Sequence, residues 1–415
     1  MLRFSISYST ALLIILLFCI GCSGDGRDAA GAVEASSQQN IYAQFQQRAQ
    51  AFAQTLPART LSTPTINDVA SFVHADAPLE FWLFLAVLSD QHGNDYALQQ
   101  RFARLNLAPR SVTPLAEVDE SQWSYSNVVA MDYQFDHLTS GQSEAYTQAQ
   151  REALDLSGAS VEQRRVWLGA FHAQDHASSV CDTLIEVSSP QLSLRFGNDT
   201  NTNTNTSASA SAGAGAGAGA GDPSSCEESS AASIVRAADF AVSRGPAMPV
   251  SGSYRSADQN LNLSGHGWVV QGWGVPPNAS VSAVVLDRAW LLMERGDLAT
   301  STLSVQLQRS RRASGRGPRI TSGTLYTLGN GLSRHVEPTE FPLELIDDAS
   351  KLENEVPLSW QLNSAEQDMA LTLTPVASSI EKPSLPGQSW FGLVVIDGTH
   401  QGYGFVDYSL QSNLK

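Results

Sequence analysis

The stretch Phe81-Trp-Leu-Phe-Leu-Ala-Val-Leu88, with Ser89-Asp-Gln-His-Gly93 after it, decides how this chain is read. An apolar, aromatic run bounded by Pro78 and by a turn signal reads as a strand. Tyr96 to Leu105 then returns with apolar and polar residues partly alternating, so the pair reads as a β-hairpin. The same style continues outward. Ser301-Thr-Leu-Ser-Val-Gln-Leu-Gln308 alternates strictly, as a half-buried strand should. Thr324 to Leu328 follows, and Gly329-Asn-Gly331 marks a tight turn. Leu358 to Leu362, Met369 to Pro375, Trp390 to Ile396 and Gly404 to Leu410 add further short strands. Many short strands at regular spacing predict barrels or sandwiches. One segment departs: Gln142 to Leu156, dominated by Glu, Gln and Ala and stopped by Gly158, predicts a short internal helix. A break at Arg244-Gly-Pro-Ala-Met-Pro249 divides the body into β domains at 61–245 and 246–415.

The N-terminus predicts export. Arg3 supplies a positive charge, Phe4 to Ile20 is mostly apolar, and Cys19-Ile20-Gly21-Cys22 ends the run. That is the order of a secretory signal, and the run is short for a membrane span of about 20 residues. A small residue directly before cysteine resembles the lipobox of bacterial lipoproteins. The expectation is a signal peptide at 1–21, lipid on Cys22 and a tether over 22–60. Ser23 after that cysteine points to a cell-envelope location on the outer membrane, facing the periplasm. A lipidated chain is anchored to the bilayer rather than spanning it.

Composition narrows the partners. The net charge is −16, and the only lysines are Lys351, Lys382 and Lys415. An acidic chain without a basic stripe argues against nucleic acid. With Cys19 cut off and Cys22 lipidated, Cys181 and Cys226 remain, and in an oxidising compartment they most simply form one disulfide. Between them, Thr200-Asn-Thr-Asn-Thr-Asn-Thr-Ser-Ala opens a low-complexity tract with no apolar face to bury. An insertion over 198–225 is therefore expected to be disordered.

Several motifs, taken in order, resemble the lipocalin-like family that includes bacterial AttH lipoproteins and carotenoid 1,2-hydratases. Glu80-Phe81-Trp82 stands for the family's opening Glu-Trp-Trp, and Tyr96-Ala-Leu-Gln99 to Arg104 for its next strand. Arg151-Glu-Ala-Leu-Asp-Leu-Ser-Gly158 and Val166-Trp-Leu-Gly169 follow. Leu286-Asp287-Arg288-Ala289-Trp290 resembles the Leu-Asp-Arg-Glu-Trp signature, and Gly402-Tyr-Gly-Phe-Val-Asp407 the closing motif. The resemblance implies two lipocalin-like β-barrel domains side by side. It also implies a link to an ABC-type permease. Ala289, Phe391 and Phe81 depart from the family pattern, and the first two stand where the family carries carboxylates.

A hydratase protonates an alkene and needs a positioned acid. Asp287 is the catalytic candidate, and Glu80, Trp82, Arg288, Trp290 and Tyr403 form the expected ligand-binding set. Asp287 and Arg288 are adjacent strand positions, so they point to opposite faces. His172 and His176 have helical metal-ligand spacing, but the Glu of His-Glu-x-x-His is absent and the setting is strand-rich. No metal and no cofactor is expected. Three readings follow: an anchored lipoprotein binding an apolar small molecule or lipid in a barrel, a hydratase or cyclase acting on a terpenoid or polyene through Asp287, and a structural interaction protein. The first is favoured, because lipocalin-like barrels enclose one small ligand.

Overall fold

The structure, a computed structural model, describes residues 71–75, 77–106, 127–152, 154–176, 184–197, 233–237, 240–244, 247–256, 259–274, 284–295, 302–312, 320–328, 332–336, 352–353, 356–357, 359–364, 368–376 and 389–409. The signal peptide 1–21, Cys22, the tether 22–60, the Cys181–Cys226 pair, the insertion 198–225 and the turn at 329–331 lie outside the described residues. So does the side chain of Asp287.

The opening stretch forms β1 (Leu79–Asp90), and its hairpin partner is β2 (Asp95–Asn106). Gly93, with φ of +80°, makes the turn between them, in a region L side chains rarely adopt. Next come β3 (Asn127–His137), β4 (Gln142–Arg151), β5 (Ser157–Ser160), β6 (Arg165–Leu168), β7 (Phe171–Asp175), β8 (Ile185–Ser188) and β9 (Leu192–Phe196). β10 (Ser233–Ala237), β11 (Phe240–Arg244), β12 (Met248–Arg255) and β13 (Asn260–Gly274) complete the first sheet. Its path runs β4-β3-β2-β1-β13-β12-β9-β8-β7-β6-β5, antiparallel at each pairing, and curls into a nearly closed barrel. β13 is its spine. One edge pairs with β1 throughout; the other takes β12 first and β11 after residue 270. Gly265 lets β13 pass close over β1, since a Cβ there would sit 2.1 Å from the Val87 carbonyl oxygen.

The second sheet is a half-barrel of β14 (Val284–Arg295), β15 (Thr302–Arg312), β16 (Ile320–Thr327), β17 (Leu332–Val336), β20 (Trp360–Ser364), β21 (Met369–Pro375), β22 (Ser389–Gly398) and β23 (His400–Ser409). A small pair, β18 (Leu352–Glu353) and β19 (Val356–Pro357), stands apart.

The long apolar run of β1 now has a cause: both of its faces are buried. Trp82, Phe84, Ala86 and Leu88 point into the first barrel with Phe102, Met131, Phe196 and Val250. Leu79, Leu83 and Leu85 point the other way and join Trp268 to Trp290, Phe391, Leu393 and Phe405 of the second sheet. There Trp268 meets Phe405 edge-on with centroids 6.5 Å apart, and its indole N–H donates to Ser304 Oγ at 3.3 Å. The two sheets pack side by side through this apolar seam.

Two outcomes differ from the sequence reading. The expected internal helix at 142–156 is strand β4 followed by a turn, and the described residues contain no helix. Its Glu, Gln and Ala favour helix locally, but a tight turn at Gly141 (φ +71°) folds it back onto β3, and ladder pairing overrides propensity. Residues 248–274, read as the start of the second domain, are hydrogen-bonded strands of the first sheet. The sheets divide between β13 and β14. β1 pairs with β2 on one edge and with β13 on the other.

Candidate functional site

The two ends of the first barrel are built differently. At one end, residues 71–75 pack against the barrel core through Phe72 and Val73 and are tied down by Glu80, which is wholly buried. The Glu80 carboxylate accepts the His74 backbone N–H at 3.0 Å, Arg104 Nη2 at 2.9 Å and Gln271 Nε2 at 2.9 Å, and His74 Nδ1 lies 2.7 Å away. Arg104 also donates to the His74 carbonyl, and Gln271 to the Phe72 carbonyl at 3.0 Å. Trp82 donates its indole N–H to the same Phe72 carbonyl at 2.7 Å. The His74 ring stacks on Trp273 with centroids 4.1 Å apart. Glu80 and Trp82 are wholly buried and Arg104 almost so, and this end is sealed.

The opposite end is open. Asp90, His92, Asn94, Tyr96, Phe135, His137, Gln142, Ser143, Glu144, Tyr254, Ser256, Gln259 and Leu261 line a recess of about 880 Å³. Strand alternation brings these side chains together, since Tyr96 on β2, Phe135 on β3 and Tyr254 on β12 all face inward. Their rings form a panel. Tyr96 and Phe135 stack at 5.5 Å between centroids, Phe135 and Tyr254 meet at 4.8 Å, and His137 lies 4.6 Å from Tyr96.

Each tyrosine is paired with a carboxylate. Tyr96 donates its hydroxyl to Asp90 Oδ2 at 3.1 Å, and Tyr254 to Glu144 Oε1 at 2.6 Å. Asp90 also accepts the backbone N–H groups of His92 and Asn94 and the Asn94 amide, so it caps the β1–β2 turn. Burial works to raise the Asp90 carboxyl, but these bonds outweigh it and bring it down to about 2. Desolvation, then the bond to and charge of Asp90, lift the Tyr96 hydroxyl to about 12. Burial, followed by Glu144, pushes Tyr254 above the usual tyrosine range as well.

The residues singled out by sequence lie elsewhere. Glu80 and Trp82 belong to the sealed end and the packed lumen. Trp290 and Tyr403 sit in the seam between the sheets, Trp290 against Phe391 at 6.1 Å. Arg288, half-buried, follows the same strand face as Trp290, and its Cα partners are Gln308 and Asp407. The backbone of Asp287 pairs with Arg309. His172 lies on β7, and burial, then the Arg165 charge, hold its imidazole below the usual range. The mouth residues Phe135, Glu144 and Tyr254 carried no signal in sequence. They come from three strands, and the helix expected over Glu144 hid its strand register.

A family model described as AttH-like matches residues 55–409. A crystal structure of a Nitrosomonas europaea protein described as AttH superposes with a TM-score of 0.50 at 13% identity, covering 86% of this chain and 99% of that one. Kievitone hydratase of Nectria haematococca superposes with a TM-score of 0.47 at 12% identity, covering 86% and 98%. No curated protein matches the chain.

Proposed function

The chain belongs to the AttH-like family, and from that premise we propose that it is a small-molecule-binding protein whose ligand occupies the mouth of the first barrel. One observation carries the reading: a recess of about 880 Å³ in which an aromatic panel is edged by two tyrosine–carboxylate pairs. Binding pockets combine apolar and aromatic walls with a few placed polar groups, and their volumes run to roughly 300–1,000 Å³. The half-buried Tyr254 ring offers the ligand an apolar wall, and the polar rim orients it.

Neither Asp90 nor Tyr96 is tuned for proton transfer near neutral pH. A general acid works best with a pKa near the operating pH. Asp90, near 2, stays a carboxylate there, and Tyr96, near 12, keeps its proton. Both serve as fixed dipoles and charges.

Anchoring at Cys22 is part of the same proposal. It is supported by the lipobox-like Cys19-Ile20-Gly21-Cys22 and would hold the mouth close to a source of amphipathic molecules. Hand-over to an ABC-type permease fits that placement and rests on the family resemblance alone. Intact mass of the N-terminal peptide from expressing cells checks the anchor: acylated Cys22 is expected, and an unmodified mature terminus would remove it.

Native mass spectrometry with organic extraction tests the binding reading. The wild type is expected to retain a reproducible small molecule, and Gln142→Trp, which adds bulk on the same strand face as Glu144 at the edge of the recess, to lose it. Retention undiminished by Gln142→Trp would move the ligand out of this mouth.

A further inference from the structure

Among the described residues, the exposed large apolar side chains fall in one short stretch: Tyr146, Leu154, Leu156 and Val161. Leu154 is the extreme case, 85% exposed. It also holds a φ of +55°, with Asp155 following at +59°. Asp accepts that left-handed backbone through its short polar side chain, whereas Leu adopts it at a cost. Neither backbone conformation nor packing favours Leu at position 154. The neighbouring side chains extend its apolar surface. Strand alternation puts Leu156, Gly158 and Trp167 on the outer face of the barrel wall, since Val166 and Leu168 take the inner one. The Trp167 ring lies across Gly158, where an added Cβ would meet it at 2.8 Å. Its indole N–H donates to the Asp155 carbonyl at 3.0 Å, and Arg165 stands 5.4 Å from its centroid. A half-buried Trp beside an arginine and exposed leucines has the make-up of a contact at a membrane–water interface.

This patch lies on the rim where the chain enters β1. The Pro78 carbonyl accepts the Asn106 N–H at 2.9 Å, Asn106 pairs with Asn127, and the Asn127 carbonyl accepts the Glu152 N–H at 3.0 Å. Three strand spacings, about 15 Å, therefore separate residue 78 from residue 152. The chain that leads from Cys22 arrives at the same rim. An anchor at Cys22 would make contact between this rim and the bilayer intramolecular, so a patch too small to bind from solution suffices. The net charge of −16 gives no attraction to an anionic surface, which leaves the contact to apolar side chains.

We propose that Leu154, Leu156 and Trp167 form a second membrane contact, seated in the headgroup layer of the bilayer that carries the Cys22 anchor. The inference rests on the anchor reading above and adds the face turned to the lipid. A docked chain keeps the mouth, at the far end of β1 and β2, clear of the lipid.

The test reconstitutes the full chain from expressing cells into phosphatidylcholine vesicles, with or without bromine on the acyl chains, and reads Trp fluorescence. Intact mass on the same preparation reports acylation of Cys22. Brominated lipid is expected to lower the emission of wild type by roughly a tenth, the share of one Trp among eight, because an interfacial side chain sits within about 5–10 Å of the acyl boundary. Trp167→Phe should abolish that quenching. Leu154→Asn with Leu156→Ser should reduce it at least twofold without lowering the denaturation midpoint, since Asn accepts the backbone of position 154. Acylated Cys22 without quenching would overturn the docking face and leave the anchor standing. Quenching of an unacylated chain, lost in Trp167→Phe, would remove the anchor and keep the face; neither acylation nor quenching would overturn both. Quenching that survives Trp167→Phe would place the lipid against another face. Absent quenching, with Trp167 emission shifting to the blue as protein density rises, would give the patch to a second copy and overturn the lipid assignment.

Discussion

The two ends of the first barrel use the same ingredients to opposite effect. At the sealed end, Glu80 lies among Arg104, His74, Gln271 and the aromatic rings of Trp82 and Trp273. At the mouth, Asp90 and Glu144 lie among Tyr96, Tyr254, Phe135 and His137. Carboxylate plus aromatic is thus not in itself a site. What separates them is coverage. Residues 71–75 cover the first and consume its acceptors, whereas the second ends in a recess rimmed by exposed polar residues such as His92, Gln142 and Gln259. A buried charge must be matched by protein, so at the sealed end Glu80 is met by Arg104, His74 and Gln271.

That contrast predicts the largest effect at Glu80. Glu80→Ala leaves Arg104 buried and opposite no charge, and removing one partner of a buried pair costs on the order of 3–5 kcal/mol. Chemical denaturation should register a loss of that size. A combined Glu80→Leu, Arg104→Met variant should recover much of it, because no charge then stays buried. If Glu80→Ala proved nearly neutral, the sealed end would be loose and the distinction between the ends would fail.

Most of the fold was legible because strands alternate and turns punctuate. The hairpin at 81–105 and the strands at 301–308, 369–375 and 390–396 are present close to where the pattern put them. Local signals failed where tertiary pairing decides. The composition of β4 says helix, and only a partner strand makes it otherwise. Pro246 and Pro249 look like a domain break, yet the chain beyond them returns to complete the first sheet. The site was less legible for the same reason. Glu80 drew notice because it opens a motif, and that motif proves to be a clasp. Glu144 and Tyr254 are 110 residues apart in sequence and meet only through barrel curvature. The quoted strand Tyr96 to Arg104 did contain one mouth residue, Tyr96, at its first position.

A middle-sized effect is expected at Asp90, which belongs to the mouth but is bonded like a scaffold residue. Its carboxyl is held at about 2, below the ordinary 3.8. A depressed carboxyl contributes stability that is complete above the unfolded value and disappears as pH falls through the folded one. Wild type should therefore lose stability between about pH 4 and pH 2, and Asp90→Asn should lose less over that window. At pH 7, Asp90→Asn should cost about 1–2 kcal/mol through weakened turn hydrogen bonds. Equal acid profiles for the two proteins would mean that Asp90 does not hold the turn.

The smallest effect on stability, and the sharpest divide between the ends, belongs to Tyr254. Its hydroxyl makes one hydrogen bond, to a half-buried carboxylate that water can solvate once the bond is gone. Tyr254→Phe keeps the ring and its contact with Phe135, so the loss should be only about 0.5–1.5 kcal/mol in denaturant. Ligand retention should respond more than stability does, because the substitution removes a hydroxyl from the wall of the recess while Glu144 stays against the Gln191 amide. A scaffold residue behaves the other way: Glu80→Ala would lower stability while leaving mouth occupancy in the surviving folded protein unchanged. Measuring denaturation midpoint and extracted ligand on the same preparations of both variants separates the two behaviours. Were Tyr254→Phe to reduce stability and occupancy in equal proportion, the mouth would be one more clasp, and the openness of its rim would carry no function.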